Sequence, residues 1–464
     1  MYRQAIRRGS ERNYCLELYR RHRLFSRNVS IVLVSGILMR LLAVAAGVVT
    51  ARFLGPSGKG ELTAFITVAS IAMLVISAGI PSANTYFAGR DKTPKGMLVG
   101  NSAVFWAVAG LLGFSAIYFG RGLIGRVMPA GCENQLWWLL VGLSLFISLG
   151  SSIVGGILVG EQRFLKVSVS GLTQAGTYLL LLLIFLLVLD MGLGGVLLAW
   201  LLGWLASLAL NWLFVRQASS QQPLRFNIPA LGASTRYGLK VQISDVMQWG
   251  NYRLDVFIVG YLLGASDLGW YAVAFTVAEL IWFVPSAVAT VLFPVTAKGD
   301  EDGATRFTGI VFRQTMIVIL LSCLAAAASG WFIIPLIFGH EFSPSVYPFY
   351  LLLPGVAMLG LWKVLNGDLC GRGYPQYGTL STALALVVTI VLDLTLIPRM
   401  GIAGAAIASS LSYAVATLTL LIVFLRVGKT SVSTLFLVRM EDVLFWKRSV
   451  LGLLHIPVPR RRTL

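Results

Sequence analysis

A glycine-rich stretch near the N-terminus, "RFLGPSGKGELT" (Arg52 to Thr63), contains a Gly-Lys pair of the kind that can bind nucleotide phosphates. A phosphate-binding loop requires G-x-x-x-x-G-K-[ST], in which the glycines allow the turn and the final hydroxyl binds Mg²⁺. Phe53 and Gly60 stand where the first glycine and the hydroxyl are required, and no strand-like run precedes them. The sequence therefore does not predict nucleotide binding here.

After the Gly-Lys stretch, the second group of candidate functional residues consists of ionisable side chains within long apolar stretches. An ionisable side chain near the centre of a bilayer costs about 2.5 to 3.5 kcal/mol, so each one is a functional candidate unless a partner explains it. The cations could bind a phosphorylated substrate, and the acids could bind or release a coupling ion. These residues are Arg40, Arg253, Asp255, Glu279 and Lys363.

Arg40 shares a helical face with Gly36, Ala43 and Gly47. Small residues on one face of a membrane helix indicate close packing, so we expect Arg40 to point into the protein. A substrate-facing position and an internal salt bridge to an acid such as Glu279 both remain open.

A polar stripe marks the predicted seventh helix. Ser244, Gln248, Asn251 and Asp255 fall within about 60° of arc at 100° per residue, which indicates a face that lines water or another polar surface. Arg253 lies roughly 200° from Asp255 on the same helix, so the two face different surroundings. One of the two should seal a helix–helix contact, and Arg253 faces either that contact or the substrate.

Other polar residues have a structural and a functional interpretation. Lys363 is close enough to the end of its helix to extend its ammonium to the interface, and Arg52 is either an interface anchor, which is favoured, or the exit-side member of a cationic track. We also consider polar side chains as sugar contacts, although hydrogen bonding between helices is their commoner role. These side chains are Asn84, Tyr86, Asn101 and Tyr252.

The composition requires a membrane environment. Of 464 residues 57% are hydrophobic and 12% charged, and the mean hydropathy is +0.81. Apolar stretches of about 20 residues, enough to cross roughly 30 Å of hydrocarbon, recur about twelve times and are typical of helices rather than of barrel strands. The predicted spans are 29–53, 61–87, 97–120, 136–160, 164–189, 193–215, 236–263, 268–296, 308–338, 346–369, 376–397 and 402–425.

The net charge of +18 has a membrane explanation. Most Lys and Arg residues lie in the two tails and the even-numbered connections, which by the positive-inside rule places both termini in the cytoplasm of a protein of the inner (cytoplasmic) membrane. We therefore expect anionic membrane lipids, and no nucleic acid, as partners of these charges. The few histidines and scattered cysteines predict no metal site, no cofactor and no disulfide, and the first 28 residues do not resemble a removable signal peptide.

An internal repeat explains the opening glycines. Leu54 to Gly60 and Leu263 to Gly269 both read L-G-x-S-x-x-G, and the same offset of 209 residues pairs Gly192 with Gly401 in the motif G-[LI]-x-G. The Gly-Lys stretch is thus a turn between two helices, present once in each half.

Six spans in each repeat give both halves the same orientation in the membrane. The predicted fold is an all-α membrane protein of two parallel six-helix bundles related by a pseudo-two-fold axis along the membrane normal. The predicted divisions are a basic cytoplasmic arm (1–28), an N-terminal bundle (29–215), a cytoplasmic linker (216–235), a C-terminal bundle (236–426) and a basic amphipathic tail (427–464).

Two long segments carry a resemblance to a known family. They are "RNVSIVLVSGILMRLLAVAAGVVTARFLGPSGKGELTAF" and "NYRLDVFIVGYLLGASDLGWYAVAFTVAELIWFVPSAVATVLFPV". Over about residues 24–426 the chain resembles the polysaccharide transporter branch of the multidrug/oligosaccharidyl-lipid/polysaccharide (MOP) flippase superfamily. The resemblance implies a non-enzymatic flippase that moves a polyprenyl-diphosphate-linked oligosaccharide from the inner to the outer leaflet by alternating access, for cell-surface polysaccharide biosynthesis. It also implies glycosyltransferases and a glycan polymerase of the same pathway as partners.

Two other functions are compared with this one. An ion-coupled drug or small-metabolite antiporter of the related multidrug branch would use H⁺ or Na⁺ at membrane acids, here Glu279, Asp255 or Asp393, but a cavity that presents Arg40 and Arg253 would repel cationic drugs. A membrane enzyme would need acidic or histidine clusters in a sizeable loop, and the connections are short.

Overall fold

We describe a computed structural model of the chain, which covers residues 2–89, 94–128, 132, 134–219, 222–296 and 301–437, with the backbone alone for residues 2–30, 33, 127, 218–219, 244–245, 291, 294–295 and 301–302. Most of these residues are helical. The first part of the chain forms α1 (Tyr2–Ile76), α2 (Ile80–Gly89), α3 (Lys95–Phe119), α4 (Arg121–Ile124), α5 (Gln135–Gly160), α6 (Phe164–Leu183) and α7 (Gly192–Ser219). The second part forms α8 (Ile228–Leu262), α9 (Ala265–Glu279), α10 (Phe283–Thr296), α11 (Glu301–Phe338), α12 (Val346–Gly371), α13 (Pro375–Met400), α14 (Ile402–Val427) and α15 (Val432–Phe436).

Ten helical segments in the described part of the chain are long and apolar enough to cross a membrane. One of them, Val34–Ile76, includes most of the first predicted span and most of the second. The polar helix α8 is not among the ten. The all-α membrane fold is confirmed. The count of twelve spans and the two-fold axis remain predictions.

The repeated glycines adopt the conformations that their turns require. Gly55 (φ 65°, ψ −175°) bends α1, and Gly264 (φ 97°, ψ −174°) separates α8 from α9. This combination of positive φ and extended ψ is accessible essentially to glycine alone. Gly192 and Gly401 also have positive φ, at 54° and 60°. The interpretation of the Gly-Lys stretch as a helix–helix turn is therefore supported in both halves.

The chain divides into two compact units, residues 1–246 and 247–464, and the division falls within α8. It lies later than the predicted start of the C-terminal bundle at residue 236, because the beginning of α8 packs on the first unit. A Cβ on either Gly79 or Gly238 would overlap the backbone of the other, and the Gln242 amide donates to the Leu74 carbonyl at 2.6 Å. Most of the predicted C-terminal tail, from residue 438, lies outside the described residues.

Candidate functional site: a charged cluster in the second unit

The charged cluster of the second unit consists of Arg253, Glu279, Lys363 and Asp255. Its first part is an ion pair between two partly exposed side chains. Arg253 Nη2 of α8 lies 3.5 Å from Glu279 Oε2 of α9, and about a third of each side chain is exposed, 33% and 32%. The Arg253 guanidinium also lies 5.0 Å above the Phe275 ring centre, a distance at which the ring attracts a cation. Arg253 is thus held by one carboxylate and one aromatic face.

Glu279 lies inside one continuous membrane segment, Ala265–Thr290. α9 ends at Glu279, and a 3-10 turn (Leu280–Trp282) follows before α10 begins. An acid within an apolar segment is costly, and the positive charge of Arg253 offsets part of this cost.

A second cation lies against an aromatic wall. The Lys363 ammonium of α12 is 5.3 Å from the ring centre of Trp282 and 5.8 Å from that of Tyr252. These two rings are 5.6 Å apart, the Trp282 indole donates to the Val356 carbonyl at 2.9 Å, and the Gln248 amide donates to the Tyr252 hydroxyl at 2.9 Å. Lys363 is therefore held among ring faces, which differs from the simple extension to the interface considered above.

Asp255 lies behind this surface and is 2% exposed. Its carboxylate accepts hydrogen bonds from the Tyr271 hydroxyl of α9, from the Ser409 hydroxyl of α14 at 3.2 Å, and from the Val256 backbone at 2.8 Å. As the helical angles predict, Asp255 and Arg253 face different surroundings. Asp255 is the residue of this pair that joins three helices.

The same face of α8 carries a neutral hydrogen-bond network. The Asn251 carbonyl oxygen accepts from Thr389 of α13 and Ser412 of α14, each at 2.9 Å. Asp393, one turn after Thr389, is completely buried, and among the described residues neither of its oxygens accepts a hydrogen bond. Its charge interacts with that of Asp255. Two buried carboxylates thus lie near each other beside a set of hydroxyl and amide oxygens.

The remaining predicted site residues belong to the first unit. Arg40 and Arg52 of α1 are exposed. The close packing expected on the face of Arg40 is not found among the described residues, because a Cβ on Gly36 or Gly47 would have no atom within 4 Å. Asn84 is 1% exposed, and its amide donates to the Ser102 hydroxyl at 2.8 Å and to the Ile153 carbonyl at 3.0 Å, so in this conformation it joins helices. The structure therefore brings Arg253, Lys363, Asp255, Glu279, Asn251 and Gln248 together in the second unit.

Several contributors were not foreseen from the sequence. Tyr271, Trp282 and the hydroxyl residues of α13 and α14 look like ordinary residues of apolar helices. A weak signal exists, since Thr389 and Asp393 are four residues apart and Ser409 and Ser412 three, so each pair shares a helix face. The spacing within one helix does not show which other helix these faces pack against.

Solved structures with the same fold are transporters. With the lipid II flippase MurJ in an inward closed conformation, the TM-score is 0.72 over 91% of this chain and 96% of that one, at 14% identity. With an inward-facing multidrug resistance MATE family transporter of the MOP superfamily, the TM-score is 0.71 over 84% and 96%, at 15% identity. At such identities the likeness shows the fold alone, which is that of a multi-pass membrane protein.

Sequence relatives identify the family. A family model described as "Polysaccharide biosynthesis protein" matches residues 49–347, and the chain belongs to this family. The chain is 24% identical over 213 residues to the "Probable low-salt glycan biosynthesis flippase Agl15" of Haloferax volcanii, an alignment that covers 43% of this chain and less than half, 44%, of that relative. It is 23% identical over 403 residues to the "Uncharacterized membrane protein MJ1375" of Methanocaldococcus jannaschii, covering 82% and 92%. The family membership confirms the resemblance found in the sequence.

Proposed function

We propose that the protein is a flippase that moves a polyprenyl-diphosphate-linked oligosaccharide from the inner to the outer leaflet of the cytoplasmic membrane. The observation that carries this proposal is the pair of cations, Arg253 and Lys363, on partly open surface in the second unit. Transport proceeds by alternating access with both termini in the cytoplasm. The protein supplies binding and orientation and catalyses no bond change.

The weakness of the Arg253–Glu279 pair suits a site that must bind and release an anion. At 3.5 Å, with a third of each side chain exposed, such an ion pair contributes about 1 kcal/mol or less. An incoming phosphate can therefore replace Glu279 at little cost, and the planar guanidinium can bind two of its oxygens at once. Lys363 adds a second positive charge for the second phosphate.

The names of similar proteins agree with this chemistry. One partial relative is called a probable glycan biosynthesis flippase, and a protein with the same fold is called a lipid II flippase. Both names describe those proteins. Together with membership of a polysaccharide biosynthesis family, they support a lipid-linked glycan as the cargo and the pathway glycosyltransferases and polymerase as partners.

The first unit supplies further candidate contacts. Arg40 is proposed to bind the diphosphate, and Arg52 to anchor the outer end of α1 or to extend the cationic path. Their exposed side chains are compatible with these roles. Asn84 remains a weaker candidate because both described bonds of its amide join helices.

A coupling ion, H⁺ or Na⁺, is proposed to bind at Asp255 and Asp393. Two neighbouring buried carboxylates cannot both stay ionised without a compensating positive charge, because their repulsion is strong at low dielectric. Asp393 has no described hydrogen-bond donor, while Asn251, Ser409 and Thr389 place neutral oxygens on the same elements. A proton or a hard monovalent cation with oxygen ligands fits this set of atoms.

The alternative function is an ion-coupled antiporter for drugs or small metabolites. The acidic pair and the MATE-like fold favour it. The nearby positive charges of Arg253 and Lys363 disfavour a cationic drug as its substrate.

The decisive experiment reconstitutes the full-length protein in vesicles that carry a polyprenyl-diphosphate oligosaccharide in one leaflet. We expect the protein to accelerate flipping of this lipid and to leave a neutral polyprenyl glycolipid at the rate of empty vesicles. Equal rates with and without protein would refute the proposal, and ion-dependent export of a cationic dye would support the antiporter.

In cells, Arg40→Ala should stop glycan export while protein abundance and membrane insertion stay normal, because the proposed diphosphate contact is lost. Depletion of the protein should cause the lipid-linked intermediate to accumulate in the inner leaflet. Normal surface polysaccharide in the Arg40→Ala strain would show that Arg40 does not bind the substrate.

A further inference from the structure

Tyr413 of α14 packs against the aromatic wall, which consists of Trp282 and Tyr252. Tyr413 is completely buried, and its ring lies edge-on to both rings of the wall. The ring centres of Trp282 and Tyr252 are 5.8 and 6.2 Å from that of Tyr413. The Lys363 ammonium lies against the same two rings. Tyr413 therefore contacts the side chains that hold one of the two cations.

The hydroxyl end of Tyr413 belongs to the surroundings of the acidic pair, Asp255 and Asp393. Ser409, one turn earlier on α14, donates to Asp255 at 3.2 Å, and residues four apart share a helix face. The charge of Asp255 acts on the Tyr413 hydroxyl, and the hydroxyls of Tyr271 and Tyr413 also interact electrostatically. Tyr413 is thus a neighbour of both the acidic pair and the aromatic wall.

The Tyr413 hydroxyl has no hydrogen-bond partner among the described residues. The desolvation cost of a buried hydroxyl is offset only when it donates or accepts a hydrogen bond. The nearby Tyr271 hydroxyl meets this condition, because it donates to Asp255. Phenylalanine at position 413 would fill the same space without the cost. The described conformation is therefore less favourable for Tyr413 than one in which its hydroxyl gains a partner.

The backbone on either side of Tyr413 is held against α12. A Cβ on Gly355 of α12 would overlap the Cα atom of Ser410. The Thr417 hydroxyl donates to the Met358 carbonyl of α12 at 2.9 Å. Because these contacts flank Tyr413 along α14, a change in its hydrogen bonding requires its side chain to move while the helix stays in place.

Ion binding at the acidic pair would change the hydrogen bonds around this hydroxyl. In the described state, Asp255 accepts from the hydroxyls of Tyr271 and Ser409 and from the Val256 backbone. A bound proton or cation uses part of the acceptor capacity of the carboxylate, so one of these hydroxyls then needs another acceptor. The oxygen of Tyr413 has that capacity.

We propose that Tyr413 couples the acidic pair to the cations, an inference that rests on the proposed function. Its hydroxyl gains a hydrogen bond when the acidic pair takes up its ion, and its ring then shifts against Trp282 and Tyr252. Since these rings hold the Lys363 ammonium, the shift changes the affinity for the diphosphate. The additional hydrogen bond supplies the difference in free energy between two states that such a change requires. Tyr413 is a positioning residue, because it acts through the aromatic wall.

The test measures how the ion and a diphosphate affect each other's binding to the full-length protein in detergent. Farnesyl diphosphate is the soluble probe, and its Kd is measured by calorimetry in sodium and in choline at equal ionic strength. A second series varies the pH above the range in which the probe itself titrates. In the wild type, we expect one of the two ions to change the Kd about tenfold, a typical coupling between two sites.

Tyr413→Phe should reduce this change to about twofold or less and raise the half-saturating ion concentration about fivefold, the factor for one lost hydrogen bond. Its thermal midpoint without the ion should equal or exceed that of the wild type, because no hydrogen bond is lost. Tyr350→Phe is the matched control in the same unit, since the Tyr350 hydroxyl accepts from the Trp331 backbone at 3.0 Å. This control should lower the midpoint and keep the coupling.

The outcomes separate this proposal from the proposed function. If the wild type does not bind farnesyl diphosphate, or neither ion changes its Kd, the proposed cargo or coupling ion is wrong, and the role of Tyr413 is wrong with it. If the wild type shows the coupling and Tyr413→Phe keeps it, only the role of Tyr413 is refuted. A midpoint of Tyr413→Phe as low as that of Tyr350→Phe would also refute it, since the hydroxyl would then have had a partner.

Discussion

The two units use the same glycine turns but bury different chemistry. In the described part of the first unit, the residues buried as a whole are uncharged where they are polar, and many pair with one another, as in the Ser151–Ser207–Ser170 cluster with hydroxyl distances of 2.9 and 2.8 Å. The nearest exception is the Glu161 carboxylate, whose side chain is 8% exposed and pairs with Lys95 and Arg163 at 2.8 and 2.7 Å. The second unit buries Asp255, Asp393, Asp368 and Arg313. Neutral pairs can hold helices together without the desolvation cost of charge, so buried charge in one unit needs a reason other than stability.

Removal of both cations of the charged cluster is the strongest way to test this contrast. The double variant Arg253→Ala/Lys363→Ala should slow flipping of the lipid-linked diphosphate about a hundredfold or more, because each hydrogen bond to a charged group contributes about 1.5–3 kcal/mol. The measurement is the initial flipping rate in vesicles.

Lys166 of the first unit is the matched control, since its ammonium lies 4.9 Å from the ring centre of Phe214. Lys166→Ala should stay within about twofold of the wild-type rate. Similar losses in the control and the double variant would show that any ring-bound cation matters for the fold, and the contrast between units would fail.

The buried acids should affect coupling more than cargo binding. Asp393→Asn keeps the shape of the side chain but removes its charge, so we expect stimulation by an ion gradient to fall about tenfold while gradient-free exchange continues. Asp267→Asn, in the first turn of α9, serves as the control and should keep the full stimulation. If the ion dependence of Asp393→Asn is unchanged, Asp393 has a structural role in helix packing and does not bind the coupling ion.

The repeated turns should respond alike in the two units. Gly55→Ala and Gly264→Ala should each destabilise the protein by about 1–3 kcal/mol, because alanine is strained at positive φ with extended ψ. The midpoint of thermal unfolding in detergent reports the change. Gly47→Ala, on a helix with open space around the new methyl group, should be close to neutral. A cost at only one of the two turns would show that the repeat is not equivalent in structure.

The smallest expected effect is a difference in ion dependence between variants of two buried serines, one in each unit. Ser207→Ala in the first unit and Ser409→Ala in the second should each cost about 1–2 kcal/mol of stability, because each hydroxyl has two side-chain partners and one hydrogen bond contributes about 0.5–1.5 kcal/mol. Only Ser409→Ala should also shift the ion concentration for half-maximal transport, since Ser409 donates to Asp255. A shift of the same size in Ser207→Ala would contradict a specific role for Ser409.

The sequence predicted the fold class because hydropathy and helix length are local properties. It also separated Arg253 from Asp255, since their angle around one helix follows from two residues of spacing. The sequence did not predict that the Lys363 ammonium lies against the rings of Trp282 and Tyr252. It also did not predict that the Tyr271 hydroxyl donates to Asp255. Those contacts depend on which helix faces meet, which spacing within one helix does not specify.

What the sequence by itself determined is the membrane environment, the all-α fold class, the repeated glycine turns and the set of charged residues that must find partners. Tertiary structure decided the partners. Asn251 meets Thr389 and Asp255 meets Ser409 across separations of 138 and 154 residues. The physical reason is that the free-energy cost of burying a polar group follows from its residue type, which the sequence gives. Its hydrogen-bond partner depends on how helices far apart in the sequence pack together.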